Sequence, residues 1–466
     1  MIEKYTRTPY FEIEVRRPRY NIATYRDDLI VVFGVSNSKG MSTACIAYSF
    51  NESLSSPDTD FSITLTLEKD LNGNTWYDKI KVRDLVFIKT HGSTKFVGYV
   101  TDRRLSARMA EGPQREITIS GKNLCGLLIN FSIILDQHIL SASTTAQSAS
   151  KQFMADVAGK VEVNQTLSEL MKKIVVSYFN LMDEIGGTQN IGIRQIIEHF
   201  FDYTSKFSNR IVAKYPMAIS LYQTGENSLW EVLQSMITPP FHEFFCKWDS
   251  VNSKYQVNLR PTPFDAVDWK NLSITYIPEN IPALLVQDYS IGDSDSETKT
   301  FFGTFLPGSA YSKEKVLTLE DFAYTVKKDY EKWPYYGYKP LFVEMQYYNR
   351  NPANDVSFTG AASLMNVLST QLFDWFKNNA LFLTGSITIM DVKNADYTYY
   401  PNIGERIGFL GGEFYIEDVQ RSWRYGGSMT ATLGISRGFT YNKDGSQMQP
   451  IENVGQKLGM LEVVNG

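Results

Sequence analysis

Residues 401–438 read PNIGERIGFLGGEFYIEDVQRSWRYGGSMTATLGISRG, and the fold prediction rests first on these residues. Its apolar residues alternate with polar ones in three short runs. Alternation with a period of two is typical of strands that bury one face. The glycine pairs Gly411-Gly412 and Gly426-Gly427 separate the runs, and glycine accepts a positive φ at little cost. The stretch therefore predicts three antiparallel strands joined by two tight turns.

A fainter copy of this pattern lies at residues 82–121. Val86 and Ile88 repeat the spacing of Ile407 and Phe409, and a His-Gly-Ser turn follows them. Internal repetition is informative because it can redefine the whole fold. Any two β-meanders share this much pattern, so the residues alone leave open whether the copy is a repeat or a coincidence.

Several segments resemble motifs of the central hub proteins of bacteriophage tail baseplates, which have relatives in phage-like bacteriocins and in the type VI secretion spike protein. Residues 120–128 (SGKNLCGLL) resemble the segment that closes the family's first barrel. Residues 411–419 (GGEFYIEDV) and 430–438 (TATLGISRG) resemble the strands that end its second barrel. Residues 260–264 (RPTPF) resemble the end of a family hairpin, although a proline-rich exit between domains explains them equally well.

The residues that carry this resemblance have structural roles in the family, and the same roles are expected here. They are Ser120, Gly121, Lys122, Leu127, Arg260, Pro261, Pro263, Gly411, Gly412, Phe414, Tyr415, Glu417, Val419, Arg437 and Gly438.

The resemblance implies an α+β, β-dominated fold with two similar small antiparallel β-barrels of the tail-tube type and with helical and hairpin insertions. The first barrel is expected in residues 1–142 and a helical domain with a β-hairpin in 143–270. The second barrel is expected in residues 271–442, with a helical insertion at about 306–383. Residues 443–466 are polar and predict a loose C-terminal tail.

The function implied by the resemblance is that of a structural hub without enzymatic activity, located in the baseplate of a virion tail or phage-like particle and made in the host cytoplasm. A homotrimer would present six barrels, and could join a sixfold tail tube to a threefold spike around a channel. The implied partners are the tail tube, central spike, baseplate wedge and tape measure proteins, with transient passage of DNA. The alternatives are the distal hub of a non-contractile tail, a cell-wall hydrolase and a carbohydrate-binding tail component.

Composition fits a folded chain that does not bind nucleic acid tightly. The chain has 466 residues, a net charge of −5 and a pI of about 5.6, so it lacks the basic footprint that releases counterions from DNA. Cys45, Cys125 and Cys246 are odd in number and far apart, which argues against a disulfide framework and is compatible with a reducing cytoplasm. No secretory signal is visible, and the apolar stretch 124–140 is too short and too polar to span a membrane.

Residues with catalytic or metal-binding chemistry are scarce, so no cofactor, metal or catalytic residue is expected. His242 and Cys246 are spaced as helical zinc ligands would be, but the run reads as a strand, on which they would lie about 13 Å apart. His91 is isolated in the sequence. The carboxylate pairs Asp58/Asp60 and Asp293/Asp295 lie in Ser/Asp-rich loops, where solvation is the expected role and glycosidase chemistry the alternative.

Helices are predicted where capping boxes precede apolar stripes. Thr166–Glu169 and Ser228–Glu231 each place a hydroxyl three residues before a glutamate. A further helix is expected within residues 357–383, with one apolar side formed by Leu364, Val367, Leu368, Leu372, Trp375 and Phe376.

Two aromatic clusters, residues 333–338 (WPYYGY) and 397–400 (YTYY), read as loops. Three interpretations stay open: packing between domains, a protein–protein interface, where tyrosine and tryptophan are enriched, and sugar binding.

Overall fold

A computed structural model describes most of the chain. The described residues are 10–19, 24–35, 41–69, 72–108, 114–131, 147–149, 151, 153, 167–186, 192–205, 228–234, 237, 239–264, 279–305, 326–344, 358–391, 401–441 and 448–457. The fold is α+β and dominated by strands, as the sequence predicts.

The strands are β1 (Phe11–Pro18), β2 (Asp27–Gly34), β3 (Cys45–Ser53), β4 (Asp60–Thr66), β5 (Leu85–Thr90), β6 (Ser93–Arg108), β7 (Gln114–Asn123), β8 (Phe201–Ser205), β9 (His242–Asp249), β10 (Lys254–Pro261), β11 (Glu279–Asn280), β12 (Val286–Gly292), β13 (Phe301–Phe305), β14 (Val326–Lys328), β15 (Pro340–Glu344), β16 (Leu383–Met390), β17 (Arg406–Phe409), β18 (Gly412–Arg424), β19 (Thr430–Tyr441) and β20 (Met448–Pro450). The helices are α1 (Trp76–Lys79), α2 (Gly126–Asn130), α3 (Leu167–Gly186), α4 (Gly192–Phe200), α5 (Leu229–Gln234), α6 (Trp333–Tyr336) and α7 (Phe358–Phe376). Short 3-10 turns lie at Ala283–Leu285, Asp295–Glu297 and Asn379–Leu381.

One 14-stranded sheet runs through the molecule in the order β12-β16-β19-β18-β3-β4-β7-β6-β5-β1-β2, with β11, β17 and β20 attached beside this path. Its first half contains β1–β7, and its second half contains β11, β12 and β16–β20. The two halves are joined where β3 pairs with β18. Two three-stranded sheets, β8-β10-β9 and β14-β13-β15, complete the β structure of the described residues.

The first half of the sheet curls around a single core. All seven of its strands contribute buried side chains to one cluster, and the largest fully buried ones are Phe11, Phe33, Phe50, Phe61 and Phe96. The edge strand β2 bridges at Phe33 to Ser42, three residues before β3 begins. This bridge brings the two ends of the half together, which gives it a barrel-like form.

The second half is built in the same way around its own core. Strands β16, β17, β18 and β19 bury aliphatic side chains in one cluster, which includes Ile387, Ile407, Ile416 and Leu433. β11 pairs with β17 at one edge, and after five intervening residues the chain enters β12, which pairs with β16 at the other edge. The connection between β11 and β12 therefore spans the gap between the two edges.

A third core joins helices α3, α4 and α5 to the β8-β10-β9 sheet and to α2. In α3 the predicted stripe is buried at Leu170, Met171, Ile174, Val175 and Tyr178. The capping box that opens α5 is present, because Ser228 N donates to Glu231 Oε2 at 2.6 Å and Glu231 N donates to Ser228 Oγ at 3.2 Å. Among the described helices, none is long and apolar enough to cross a membrane.

The expectation about the cysteines was wrong. Cys125, which precedes α2, and Cys246, in β9, form a disulfide, and their Cα atoms are 6.5 Å apart. Cys45 is free and buried, and burial raises the pKa of its thiol to about 12. The disulfide partners are 121 residues apart in sequence, so their spacing gave no sign of the pairing.

Three local expectations need correction. The first turn of the 401–438 stretch is formed by Leu410 and Gly411, both with positive φ, while Gly412 already begins β18. The stretch after β19 is not wholly loose, because β20 pairs with β19 and Ile451 is buried. In α7, Val367 is 58% exposed and lies off the apolar side.

Some expectations lie outside the described residues. They concern Thr166 of the first capping box, the side chain of Leu364, the aromatic cluster at 397–400, and residues 306–325 and 345–357 of the predicted 306–383 insertion.

Candidate functional site

Gly121 lies near the end of β7, at a position in the β6–β7 ladder where only glycine fits. It pairs with Val100, and a Cβ atom at this position would lie 2.0 Å from the carbonyl oxygen of Tyr99 and 2.6 Å from the ring of Phe61. Its neighbour Ser120 pairs with Asp102 across a bulge in the same ladder. The lack of a side chain thus allows the backbone of β6 and the ring of Phe61 to pack closely against β7.

Lys122 connects this strand to the loop before β4. Its Nζ atom lies 3.0 Å from Asp58 and 2.8 Å from Asp60, and the bond to Asp60 raises the pKa of the lysine. The two carboxylates therefore bind a cation of the chain itself, where the sequence interpretation was solvation. Leu127, from the same motif, is 3% exposed and packs in the helical core.

Arg260, at the end of β10, crosses from the hairpin to the second half of the sheet. Its Nε atom donates to Glu243 Oε2 at 2.8 Å, and its Nη2 atom donates to Gly404 O at 2.8 Å and to Tyr415 OH at 3.0 Å. Tyr415 OH in turn donates to Glu243 Oε1. Burial works against the charge, but Glu243 and Tyr415 together keep the pKa of Arg260 above its ordinary value. A buried charge held by this many partners fixes the hairpin against the sheet.

Arg437, near the end of β19, is buried and held by neutral groups. Its guanidinium donates to Trp375 O at 2.7 Å and to Asn379 Oδ1 at 3.1 Å, and lies 3.9 Å from the centre of the Phe264 ring. Burial lowers the pKa of this arginine. Next to it, a Cβ atom at Gly438 would lie 2.2 Å from the ring of Phe414.

The motif residues of the hairpin and of the second half thus meet at one place, which we call the motif junction and define as Glu243, Arg260, Phe264, Tyr415 and Arg437. Phe264 is in edge-to-face contact with Tyr415, with ring centres 5.9 Å apart. The remaining motif residues have supporting positions. Pro261 ends β10 and Pro263 is buried. Gly411 forms a turn, and a Cβ atom at Gly412 would lie 2.3 Å from Ile451. Glu417 accepts a hydrogen bond from Ser436, and Val419 lies in the core.

The motif at residues 120–128 is not part of this junction and lies in the first half.

A second polar group, the inter-half cluster, lies where β3 meets β18, and we define it as Glu52, His91, Asp391 and Arg421. Arg421 is 1% exposed, and its Nη1 atom lies 3.3 Å from Glu52 Oε2. Its Nε atom lies 4.0 Å from Asp391 Oδ2, and Asp391 Oδ1 lies 3.1 Å from His91 Nε2. His91, which looked isolated in the sequence, therefore links the β5–β6 hairpin to the end of β16.

Burial shifts the pKa values of the groups around this cluster. It raises the pKa of Glu52 and lowers the pKa of Lys95, which is also repelled by Arg421. Both line a polar cavity of about 280 Å³ together with Lys247 and Asn402.

Arg421 was not predicted as a site residue, although the sequence carries a signal for it. Val419, Arg421 and Trp423 alternate along β18 and are all buried, so the period of two places the arginine on the inner face. An arginine at such a position requires an acidic partner. Which carboxylate serves as that partner depends on the pairing of β18 with β3, which sequence spacing does not reveal.

The contacts of these groups hold distant segments of the chain together. The predicted strand character of His242 and Cys246 is confirmed, and Cys246 is part of the disulfide. Within the described part of the chain, no group of three or more His, Cys, Asp or Glu residues could hold a metal ion.

The structure is similar to solved tail and secretion-system proteins. A tail protein from Neisseria meningitidis MC58 is 12% identical, with a TM-score of 0.48, and the match covers 94% of this chain and 98% of that one. The 43 kDa tail protein of prophage MuSo2 from Shewanella oneidensis is 12% identical, with a TM-score of 0.49 and coverage of 95% and 99%. An E. coli component of the type VI secretion system is 10% identical, with a TM-score of 0.41 and coverage of 87% and 76%. No protein-family model and no curated protein matches the sequence.

Proposed function

We propose that this chain is a structural hub of a phage tail baseplate or of a phage-like injection device, without enzymatic activity. The observation that carries the proposal is the repeated construction of the two sheet halves. Each half contains a hairpin with a two-residue turn in which both residues have positive φ, His91 (52°) with Gly92 (84°) and Leu410 (54°) with Gly411 (72°). In each half the second strand of that hairpin continues past a bulge to pair with a third strand.

The repeated construction supports a trimer. Two barrel-like units in each chain give six in a ring of three, so one ring can match a sixfold tail tube on one side and a threefold spike on the other. The two units of a chain belong to one continuous sheet, joined by seven β3–β18 residue pairs from Asp418–Ser53 to Arg424–Ala47. This joint sets a fixed angle between neighbouring units, as a ring requires.

The motif junction and the inter-half cluster support the same role. Arg260 and Arg421 are buried, and each binds groups from a different segment of the chain. Such contacts stiffen the connections between the units, and a hub that transmits force between a tube and a spike needs stiff connections. We propose the same domain boundaries that the sequence predicts, with barrels in 1–142 and 271–442 separated by the helical region 143–270.

The proposed partners are the tail tube, central spike, baseplate wedge and tape measure proteins, and the location is the tail of the particle. DNA would pass through the ring without specific binding, because the chain has a net charge of −5.

The test is electron microscopy of the purified chain, with its mass in solution measured on the same sample. A threefold ring with six density lobes and a central hole is expected. A monomer at all concentrations, both alone and with the co-produced spike protein, would count against the trimer, and a dimer with a closed cleft would count against the hub itself. An assay on purified peptidoglycan addresses the hydrolase alternative, and release of fragments would favour it.

A further inference from the structure

The β14-β13-β15 sheet carries an exposed group of aromatic side chains, which we call the aromatic platform and define as Tyr330, Trp333, Tyr335, Tyr336 and Tyr338. Their exposed fractions are 77%, 40%, 85%, 38% and 59%. This exposure argues against packing between domains, which was one of the three interpretations of the sequence. A group of this kind on a soluble surface marks an interaction site.

The platform rests on an ordered base. Phe301 of β13 lies beneath it, with its ring centre 4.5 Å from that of Trp333 and 4.9 Å from that of Tyr338. Asp329 accepts from the backbone N–H of Glu331 at 3.1 Å, which fixes the start of the turn. Thr300 Oγ1 donates to Gly337 O at 2.7 Å, which fixes its end. The backbone of the turn and the rings of Trp333 and Tyr338 are therefore held in place before any partner arrives, which lowers the entropic cost of binding.

The platform lies at one end of its small sheet, and the chain continues from the other end. Phe301 pairs with Lys328 and Pro340 at the platform end. Phe305 and Glu344, the last residues of β13 and β15, pair with each other at the opposite end. Strands β13 and β15 therefore both end at the edge of the sheet opposite the platform.

Lysine side chains surround the rings. Lys328 Nζ lies 5.4 Å from the centre of the Phe301 ring, and Lys339 Nζ lies 5.1 Å from that of Tyr336. Lys327 and Lys332 are half-buried nearby. Asp329 is buried, bound to backbone N–H groups and 3.5 Å from Lys332 Nζ, and Glu331 is exposed on the same turn, so four lysines face two carboxylates. This positive fringe contrasts with the net charge of −5 of the whole chain, so it is complementary to an acidic partner.

We propose that the aromatic platform is a docking surface for an acidic segment of a partner protein. Tyrosine and tryptophan provide rigid contact area, and the lysines orient the acidic segment. A permanent contact between copies of this chain fits less well, because obligate interfaces are more apolar than this lysine-fringed surface. A glycan fits less well too, because lysine donates hydrogen bonds but cannot accept them from sugar hydroxyls. The proposal does not depend on the trimer.

Photo-crosslinking from position 335 tests the proposal directly. The photoreactive amino acid p-benzoylphenylalanine replaces Tyr335 in the full chain, in the cells that naturally produce it, and the crosslinked peptide is identified by mass spectrometry. The matched control is the same replacement of Tyr425, which is 78% exposed on the β18–β19 turn. We expect a crosslink from position 335, but not from 425, to a peptide of another protein that is rich in Asp and Glu. A crosslink to a second copy, a crosslink to a glycan, or no crosslink from position 335 would overturn the proposal.

Charge reversal separates the role of the lysines from that of the rings. The double variant Lys328→Glu/Lys339→Glu should reduce the yield of the crosslink about 10-fold, since each exposed ion pair that is lost weakens binding severalfold and each new repulsion weakens it further. The control is Lys81→Glu/Lys172→Glu, which reverses two exposed lysines elsewhere and should leave the yield unchanged. Equal yields from the two variants would show that the partner is not recognised by its acidic charge.

Discussion

Arg421 of β18 binds Glu52 of β3 across the only strand pair that joins the two halves of the described main sheet, with Nη1 and Oε2 3.3 Å apart. The two residues are 369 positions apart in the sequence, and their exposed fractions are 1% and 8%. The pair therefore places a charged contact at the point where one barrel-like unit is attached to the other.

Removal of Arg421 should destabilise the chain strongly. In Arg421→Met, the carboxylates of Glu52 and Asp391 remain buried without their cation, which costs about 3–5 kcal/mol. Chemical denaturation measures the change in the free energy of unfolding. Arg424→Met is the matched control, because Arg424 is exposed on the same strand and its loss should change this free energy by less than about 0.5 kcal/mol.

The double variant Arg421→Met/Glu52→Gln tests whether the two charges act as a pair. It should be less destabilised than the sum of the single variants, with a coupling of about 1–3 kcal/mol. Simple additivity would mean that the 3.3 Å contact contributes nothing to stability.

The pH dependence of stability should include a contribution from Glu52. Burial raises the pKa of this carboxyl in the folded chain above its ordinary value of 4.5. The folded state then binds the proton more tightly than the unfolded state, so stability falls as pH rises from 4.5 through the folded pKa. Glu52→Gln lacks this contribution. As pH rises through that window, the wild type should therefore lose stability relative to Glu52→Gln, by up to about 1.4 kcal/mol per pH unit.

Glu14 provides a control with the opposite sign. Burial disfavours its charge, but Lys89 and Arg16 outweigh burial and lower its pKa, so its contribution is present above its ordinary pKa and is lost as pH falls. The wild-type advantage over Glu14→Gln should thus shrink on acidification. The same slope for both variants would contradict the assigned directions.

Much of the fold follows from local pattern. Alternation placed Ile407, Phe409, Leu433 and Ile435 on buried faces, and each is buried in one core. Period and turn chemistry act within a few residues, so a sequence displays them directly. The similarity between residues 82–121 and 401–438 was also visible, although the sequence left open whether it was a repeat, and the first turn of 401–438 proved to be Leu410-Gly411.

The candidate site was less accessible, because its contacts connect distant segments. Arg260 was singled out by its motif. Its contacts with Glu243 and Tyr415 depend on how the hairpin packs against β18, so the sequence did not predict them. His91 and Asp391 are 300 residues apart, and no spacing rule pairs them. Contacts of this kind depend on tertiary structure, which periodicity does not encode.

The disulfide should stabilise the chain measurably. Cys125→Ala/Cys246→Ala releases a loop of 121 residues in the unfolded state, and the expected loss is about 2–5 kcal/mol. Thiol titration in denaturant without reductant should detect only Cys45 in the wild type. In Cys45→Ala, reductant should still lower the midpoint of unfolding, whereas in the double variant it should have no effect. Detection of all three thiols in the non-reduced chain would exclude the bond.

Gly121→Ala should be severely destabilising, because its Cβ atom would lie 2.0 Å from a backbone oxygen that cannot move without disrupting the β6–β7 ladder. Forced overpacking of this kind costs about 1–3 kcal/mol or more. Gly455→Ala is the matched control, since no atom lies within 4 Å of a Cβ built there. Thermal unfolding of the two variants measures the contrast, and equal midpoints would show that the ladder relaxes around the methyl group.

Arg260→Lys tests the motif junction with the charge retained. Lysine has one nitrogen in place of a planar fork, so it cannot bind Glu243, Gly404 and Tyr415 with the same geometry. The bonds that it loses are buried, and the expected cost in unfolding free energy is about 2–4 kcal/mol. Arg104→Lys, at a side chain that is 80% exposed, should cost less than about 0.5 kcal/mol. If both variants are equally stable, Arg260 contributes only its charge, and the hairpin is held to the second half by apolar packing around Phe264.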